Sequence, residues 1–434
     1  MSRKLNYGRT FLIGLAFMSI SSFWQVYDNI IPLIMKNTFG LGETITGVIM
    51  ALDNVLALVL LPVFGSISDK VDTKLGKRTP FIVTGTVLAV TFMLILPFAD
   101  KAVNLPLFVG ALFGVLISMG LYRSPAVALM PDLTPNHLRS KANAVINLLG
   151  AVGGVYSLIM IKVLVGKGDR PSYVPLFMSI AIFMVVSIIV LVATIREKKL
   201  AAQLKAEEAA EKNGTEEVVK DIEEETVKTV LKPEVKRSMI FMLLSIFFWF
   251  TAYNAVTTAF SRYTTVVWKL EGGGFADCLM VATVAAICSY IPIGFLASRI
   301  GRKKTIMGGV VLMAACYLAA TFVMEYHPVI NIAFALIGVA WAAINVNSYP
   351  MIVAMSKGAD IGKFTGTYYT FSMAAQIMTP ILSGILLENV AYTTLFPYAF
   401  GFSILALITM TQVRHGDVKA EKKASLLENF DVED

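Results

Sequence analysis

The sequence predicts an all-α membrane protein with twelve transmembrane helices arranged as two six-helix bundles. Three observations carry that prediction. Hydrophobic residues make up 56% of the chain and charged ones only 15%, with a mean hydropathy of +0.70. A soluble domain could not bury so much apolar surface. The apolar residues fall into about a dozen runs, each near the ~20 residues that cross a hydrocarbon core. Finally, one polar turn occurs twice, at matching places in the two halves of the chain.

The predicted spans are 10–35, 44–68, 79–98, 104–130, 140–164, 174–195, 238–261, 275–298, 305–324, 328–355, 364–387 and 392–413. Six precede residue 196 and six follow 237, which gives bundles at 1–195 and 238–434. Between them, 196–237 carries ten Lys/Arg and eleven Asp/Glu in 42 residues, including Glu223-Glu224-Glu225. So charged a run reads as a solvated linker, helical in part, with no catalytic task. Its Asn213-Gly-Thr215 matches a glycosylation acceptor, which the orientation below places in the cytosol and so discounts.

Orientation follows from the cations. With the N-terminus inside, the cytoplasmic segments hold 29 of the 37 Lys/Arg. The outer ends and loops hold seven (Lys36, Lys101, Lys162, Lys167, Arg170, Arg262, Lys269), and Arg123 lies within a span. The positive-inside rule therefore predicts cytoplasmic termini and a multi-pass protein of the plasma membrane (the inner membrane of a cell that has two). The net charge of +7 belongs to loops facing anionic lipid headgroups, so no nucleic-acid partner is invoked. Cys278, Cys288 and Cys316 fall inside predicted spans, where a thiol behaves as a small apolar group, and no disulfide framework is expected. Met1 to Arg9 leads straight into a first span too long for a signal-peptide core, so no cleaved leader is expected.

The duplicated turn reads Gly65-Ser-Ile-Ser-Asp69-Lys, completed by Gly76-Lys77-Arg78, and again Gly294-Phe-Leu-Ala-Ser298-Arg299-Ile-Gly301-Arg302-Lys303-Lys304. The apolar run before each copy contains a proline, Pro62 and Pro292. Glycine at a helix end permits close approach, the polar residue four positions on can cap or pair, and the cations anchor the next helix. One such hairpin is commonplace in membrane proteins; two at equivalent places mark a repeat. Asp69 with Lys77 and Arg78 reads as an ionic latch on the cytoplasmic surface. Gly65, Gly76, Gly294, Arg299, Gly301 and Arg302 complete a candidate cytoplasmic gate, with Ser298 standing where the first copy has Asp69. Arg139-Ser-Lys141 and Lys363 look like a second repeated pair of anchors.

With twelve spans split six and six, these turns resemble the major facilitator superfamily, and the likeness covers nearly the whole chain. Three stretches most resemble the glycoside, pentoside and hexuronide cation symporters and the related sucrose/proton symporters. They are Pro62-Val-Phe-Gly65-Ser-Ile-Ser-Asp69 with Gly76-Lys77-Arg78-Thr79-Pro80-Phe81, Arg123-Ser-Pro-Ala-Val-Ala-Leu-Met-Pro131-Asp132, and Gly362-Lys363-Phe-Thr-Gly366. The resemblance implies a major facilitator fold and secondary active uptake of a sugar, often a disaccharide or glycoside, driven by a proton or sodium gradient.

The charges inside spans test that implication, because a buried charge is costly and marks function. Counted at 1.5 Å per residue, Asp53 lies roughly 22 Å, Asp28 roughly 27 Å and Arg123 roughly 13 Å from the cytoplasmic ends of their spans. Arg123 can reach upward, which makes Asp53 its expected partner. A buried carboxylate beside a guanidinium can hold or release a proton as its neighbour moves, so Asp53, Asp28 and Arg123 are the candidate proton-coupling residues. The competing reading is a static ion pair that orients helices, or, for Asp28, a place in a wetted outer vestibule. Melibiose-type members place two acidic residues one turn apart on the second span, whereas Leu56 and Ala57 stand one turn after Asp53 here. A hard cation wants several oxygens, so the proton is the expected coupling ion and sodium is less favoured. No metal or cofactor is called for, although Asn29 and Asn54 could donate carbonyl oxygens.

Sugar recognition asks for a flat apolar platform beside amides and hydroxyls. Trp24 and Asp28 lie one turn apart with Tyr27 adjacent; Trp249, Tyr253 and Thr257, then Trp341, Asn345 and Tyr349, then Tyr368, Ser372 and Gln376 follow at helical spacing. In the resembled fold the first, fourth, seventh and tenth spans line the cavity. The candidate substrate-binding residues are therefore Trp24, Tyr27, Trp249, Tyr253, Asn254, Trp341, Asn345 and Gln376. Aromatics at these positions also serve as interfacial anchors or core, while an unpaired amide in lipid is costly. Asn143 and Asn147 share a face of the fifth span, whose Gly150 and Gly154 read as a helix-packing pair.

Enzymatic readings fail for want of parts. No phosphate-binding Walker loop, metal-binding histidine cluster or nucleophile elbow occurs, and His137, His327 and His415 are scattered over loops and ends. The expectation is a proton-coupled sugar importer that works in the bilayer as a single chain. A non-pumping sensor or lipid-handling protein on the same fold, or a drug or solute antiporter, is the alternative.

Overall fold

The computed structural model describes residues 5–168, 170–213, 232–356 and 361–417. Six helices come first: α1 (Tyr7–Asn37), α2 (Glu43–Lys70), α3 (Thr79–Lys101), α4 (Leu105–Asp132), α5 (Arg139–Leu164) and α6 (Val174–Thr194). A polar helix α7 (Glu197–Asn213) opens the linker. Six more follow: α8 (Pro233–Val266), α9 (Ala276–Ile300), α10 (Arg302–Thr321), α11 (Ile330–Ser356), α12 (Ile361–Asn389) and α13 (Leu395–Thr411). All but α7 are long and apolar enough to cross a membrane, and their centres match the predicted spans. The largest extension is α8, which continues about a turn beyond its apolar run at each end, into exposed Glu234 and Lys236 at the start and into Arg262 at the other end, where a buried carboxylate matches its charge.

The starts of the helices follow from local chemistry. Asn6 and Asn104 accept from the backbone of Arg9 and Leu107 at 3.0 Å, capping α1 and α4. Proline occupies the first turn of α3, α4, α6 and α8, where its missing N–H costs nothing.

The packing repeats along with the sequence. Within the first half α1 packs on α5 and α6, α4 on α2 and α3, and α3 on α6; α8 with α12 and α13, α11 with α9 and α10, and α10 with α13 are the same pairs in the second half. The close approach on α5 falls at Gly153, where an added Cβ would lie 2.0 Å from the Met18 carbonyl oxygen of α1. Gly150 and Gly154, expected to form that contact, instead face a cavity. Glycine does the same work at Gly338 of α11, 2.1 Å by the same measure from the Ala282 carbonyl oxygen of α9.

Both polar turns lie on the face that carries the start of α1 and the end of α13, called the near face below. Arg78 binds Asp69 and the Ser68 hydroxyl and lies 2.8 Å from Asp132. Burial opposes its charge, but Asp132 and Asp69 outweigh that and hold the guanidinium above its ordinary pKa. Two expectations change here. The Lys77 side chain makes no ion pair with a described residue; only its backbone N–H is used, donated to Glu197 at 2.7 Å. The latch also ties α2, α3 and α4 of the same half together and does not bridge the halves. Glu197 completes the start of α3 by accepting from the backbone of Arg78 and Thr79 and from the Thr79 hydroxyl. In the second half Asp417 accepts from the Lys303 backbone at 3.0 Å at the start of α10. Gly76 (φ 117°) and Gly301 (φ 96°) hold the left-handed conformation both turns need. Arg302 reaches the Pro350 carbonyl oxygen at 3.3 Å, Arg299 is exposed, Gly294 is half-buried, and Ser298 bonds only its own helix, at the Phe295 carbonyl.

The halves close on each other at the opposite, far end. There α2 meets α12, α5 meets α9 and α1 meets α8. Glu43 of α2 pairs with Arg262 of α8 at 2.6 Å, with side chains only 5% and 4% exposed. Tyr392 donates to Glu43 and accepts from Lys36 at 2.5 Å, and Glu388 accepts from the Thr44 backbone at 2.7 Å. Lys162 and Asp277 pair at 2.6 Å beside them.

Candidate functional site

Below that closed end, three cavities lie in the seam between the halves. The largest, about 760 Å³, opens toward the near face, where its rim residues Arg139 and Ser140 are exposed. Its walls come from both halves. Trp24, Arg123, Asn143 and Asn147 stand on one side, and Thr283, Tyr290 and Tyr369 on the other. Gly150 and Gly154 keep the α5 wall shallow.

Deeper lies a chamber of about 180 Å³ that gathers Asp28, Asp53 and Arg123 with Trp24, Asn54, Asn254 and Gln376. The three charges singled out in the sequence therefore meet in one place. Asp53 accepts from the Asn54 backbone at 2.6 Å and from the Asn54 amide at 2.8 Å. Arg123, the partner expected for Asp53 on depth, lines the same chamber. Asn54, expected only as an oxygen donor, instead donates its amide to Asp53.

A third cavity of about 250 Å³ lies beside this chamber at the same depth, lined by Gln25, Asp28, Asn29, Tyr253, Asn254 and Tyr317 among others. The order along the helices fixes the third cavity as deeper than the large one. On α1 the large cavity takes Phe17 to Gln25 and the third takes Gln25 to Asn29; on α9, which runs the other way, the large cavity takes Thr283 to Tyr290 and the third takes Leu279 to Thr283.

Among the candidate sugar contacts, Trp24, Tyr253, Asn254 and Gln376 line one or more of these cavities. Four others do not. Tyr27 is 1% exposed and packs against Phe23 and Trp24, its hydroxyl directed at the Met50 carbonyl at 3.5 Å. Trp249 is wholly buried inside the second half, and Asn345 is 2% exposed. Trp341 stands one layer back, stacked on Tyr253 with ring centroids 3.8 Å apart and planes 7° apart. Helical spacing groups residues by face but does not separate those that line a cavity from those packed behind it. The wall residues Gln25, Thr283, Tyr290, Tyr317 and Tyr369 were missed. For Gln25 a signal existed: Ser21, Gln25 and Asn29 form a polar stripe at four-residue spacing in the middle of an apolar span, where polar groups need a reason to be.

A membrane-spanning bundle of two repeated halves with a polar cleft between them defines a solute transporter, and comparison with known proteins gives the family. The Major Facilitator Superfamily model matches residues 11–289 and 273–429, and the chain belongs to that superfamily. It is a transporter and not an enzyme. Among curated proteins it is 28% identical over 137 residues to the Sucrose transport protein SUT3 of Oryza sativa, covering 27% of each chain. It is also 24% identical over 164 residues to an uncharacterised MFS-type transporter of Schizosaccharomyces pombe, covering 36% of each. The matches thus span about a third or less of these relatives. Solved structures of the same fold include a peptide transporter (TM-score 0.66, 13% identity, covering 95% of this chain and 96% of that one). The nucleoside transporter NupG (0.65, 15%, 94% and 100%) and the inward-open xylose transporter XylE of E. coli (0.65, 14%, 97% and 98%) are similar to the same degree. At these identities the likeness speaks for the fold alone.

Proposed function

We propose that this protein takes up a sugar, a disaccharide or glycoside, together with a proton, by alternating access across the plasma membrane. The observation that carries the reading is the meeting of Asp28, Asp53 and Arg123, all half-buried, in one chamber between the halves and next to the large cavity. An acid so placed is partly withdrawn from water, shares its chamber with a cation, and adjoins the space a substrate would enter. Its protonation can therefore answer both to the substrate and to the rocking of the halves. The sugar class is supported by the amide, hydroxyl and aromatic lining (Trp24, Gln25, Asn147, Tyr290, Gln376) and by the partial likeness to a sucrose transport protein. With the near face in the cytoplasm, as the cation count predicts, the arrangement described here is inward-open and outward-closed. One chain suffices, since the cleft is complete within it.

Proteoliposomes holding the full chain test the reading. With an imposed proton gradient they should accumulate one or more of sucrose, maltose, melibiose and methyl β-D-glucoside, and the sugar should drive proton entry. Asp53→Asn should abolish accumulation against a gradient while sparing sugar exchange. Sugar-independent proton flux, or none with any member of a broad glycoside panel, sinks the proposal.

A further inference from the structure

Arg123 stands on α4 between two residues that bind other helices of its own half. Tyr122 is wholly buried. Its hydroxyl donates to the Ala16 carbonyl oxygen of α1 at 3.0 Å and accepts from the hydroxyl of Ser19, which is wholly buried too. Behind it α3 leaves no slack, since a Cβ on Gly85 would lie 2.9 Å from the Tyr122 Cα. The Ser124 hydroxyl donates to the Leu61 carbonyl oxygen of α2 at 2.8 Å, and a Cβ on Gly65 would lie 3.0 Å from that hydroxyl. The residues on either side of Arg123 are thus tied to α1 and to α2, the helices that carry Asp28 and Asp53.

We infer that Tyr122 and Ser124 are positioning residues: through their hydroxyls they fix the height of Arg123 relative to the two carboxylates it serves. Helix geometry supports this. Ser19 precedes Asp28 by nine residues on α1, and Leu61 follows Asp53 by eight on α2. At 1.5 Å per residue both anchor points lie roughly 12–14 Å toward the near face from the backbones of the acids. Arg123 is held near that level and reaches the chamber by its long side chain, which lines both the large cavity and the chamber. A small slip of α4 therefore changes the distance from guanidinium to carboxylate, and with it their attraction. No second cation stands by to compensate. The other titratable groups near Asp53 are Asp28 and Tyr27 of α1, while α8 and α12 present Asn254, Thr257, Thr258 and Gln376. The inference rests on the proton-coupling reading above and adds what holds its cation in place.

Infrared spectra of the full chain in proteoliposomes, titrated with pH, test it without any sugar, by following the protonated carboxyl band that Asp53→Asn removes. Arg123→Gln should raise the pH at which Asp53 protonates by about 1–3 pH units, the effect of taking away an adjacent guanidinium. Tyr122→Phe and Ser124→Ala should each raise it by about 0.5–1 pH unit, a part of that effect, because a loosened α4 lets Arg123 withdraw. Ser157→Ala is the matched control: it deletes a buried hydroxyl that joins α5 to the Ser22 carbonyl oxygen of α1 at 2.8 Å, and the midpoint should stay at the wild-type value. If Tyr122→Phe and Ser124→Ala both titrate as wild type while Arg123→Gln does not, the positioning role is overturned and the coupling reading stands. An equal rise in Ser157→Ala also overturns it, since any loosening of the half would then suffice. If Arg123→Gln moves nothing, the pairing beneath the coupling reading falls as well. Each of the two variants deletes one oxygen and adds no bulk, so either carries the test if the other fails to fold.

Discussion

Glu43 and Arg262 come from opposite halves of the chain and meet 2.6 Å apart with almost no exposure to solvent. The pair joins the start of α2 to the end of α8, and Tyr392 and Lys36 add two further bonds to the same point. It therefore belongs to the far-closed arrangement alone and must separate for the far end to open. Removing one member of a buried pair strands the other, at a cost of about 3–5 kcal/mol, so Glu43→Gln should tilt the chain toward far-open. Spin labels at Lys101 and Glu325, exposed at the far ends of the two halves, should report longer separations in that variant. The exchange Glu43→Arg with Arg262→Glu should recover the wild-type distances. Unchanged distances in Glu43→Gln would show that the pair does not hold the gate.

Backbone contact, besides charge, shuts the far end. A Cβ on Gly47 of α2 would lie 2.1 Å from the Pro380 carbonyl oxygen of α12, and one on Gly384 would lie 2.5 Å from the Glu43 carbonyl oxygen. Neither backbone can yield by that much without parting the helices. Gly47→Leu should therefore wedge the far end open, raise the same label distance and lose transport with the fold intact. Gly366→Ala, where nothing lies within 4 Å, is the matched control and should stay within about 0.5 kcal/mol of wild type.

Much of this architecture was legible in the sequence, and the part that was not has a physical reason. Apolar runs of bilayer length fix where Tyr7–Asn37 or Val174–Thr194 must be helical, and the paired turns at Gly65 and Gly294 fix the repeat. Asp28, Asp53 and Arg123 stood out because charge in an apolar run is costly wherever it points. The far gate was invisible for the opposite reason. Glu43 and Arg262 sit at span ends, where charge is ordinary, and only the meeting of two halves more than 200 residues apart makes them a buried pair. Trp249 and Trp341 show the same limit within one half. Each begins a stripe of correct helical period, but the period gives a face and not a depth.

Glu197 was read as part of a solvated linker, yet it is 3% exposed and accepts from the backbone N–H groups of Lys77, Arg78 and Thr79 and from the Thr79 hydroxyl. Those amides are the free donors at the start of α3, beside the turn that holds Arg78. Glu197→Ala removes a helix cap, at about 0.5–2 kcal/mol, and leaves several donors unsatisfied. The apparent unfolding temperature of the purified chain in detergent should fall by several degrees, with Glu197→Gln intermediate because its amide still offers one acceptor. A variant as stable as wild type would mean that water replaces the carboxylate without loss.

The two tryptophans of the second half should separate in function as they do in depth. Trp341 supports Tyr253 from behind, face to face at 3.8 Å, and meets the Phe250 ring edge-on at 5.3 Å. Tyr253 in turn lines the third cavity. Such a stack contributes about 0.5–1.5 kcal/mol beyond burial, so Trp341→Leu should let the Tyr253 ring tilt and weaken substrate binding roughly three- to ten-fold. Trp341→Phe, which keeps a flat ring, should recover most of that. Trp249 touches none of the three cavities and is wholly buried. Trp249→Leu should therefore lower thermal stability and leave the affinity of the folded fraction unchanged. Binding isotherms and melting curves on the same three preparations decide the matter: an affinity loss in Trp249→Leu as large as that in Trp341→Leu would place both rings at the substrate, as their spacing in the sequence had implied.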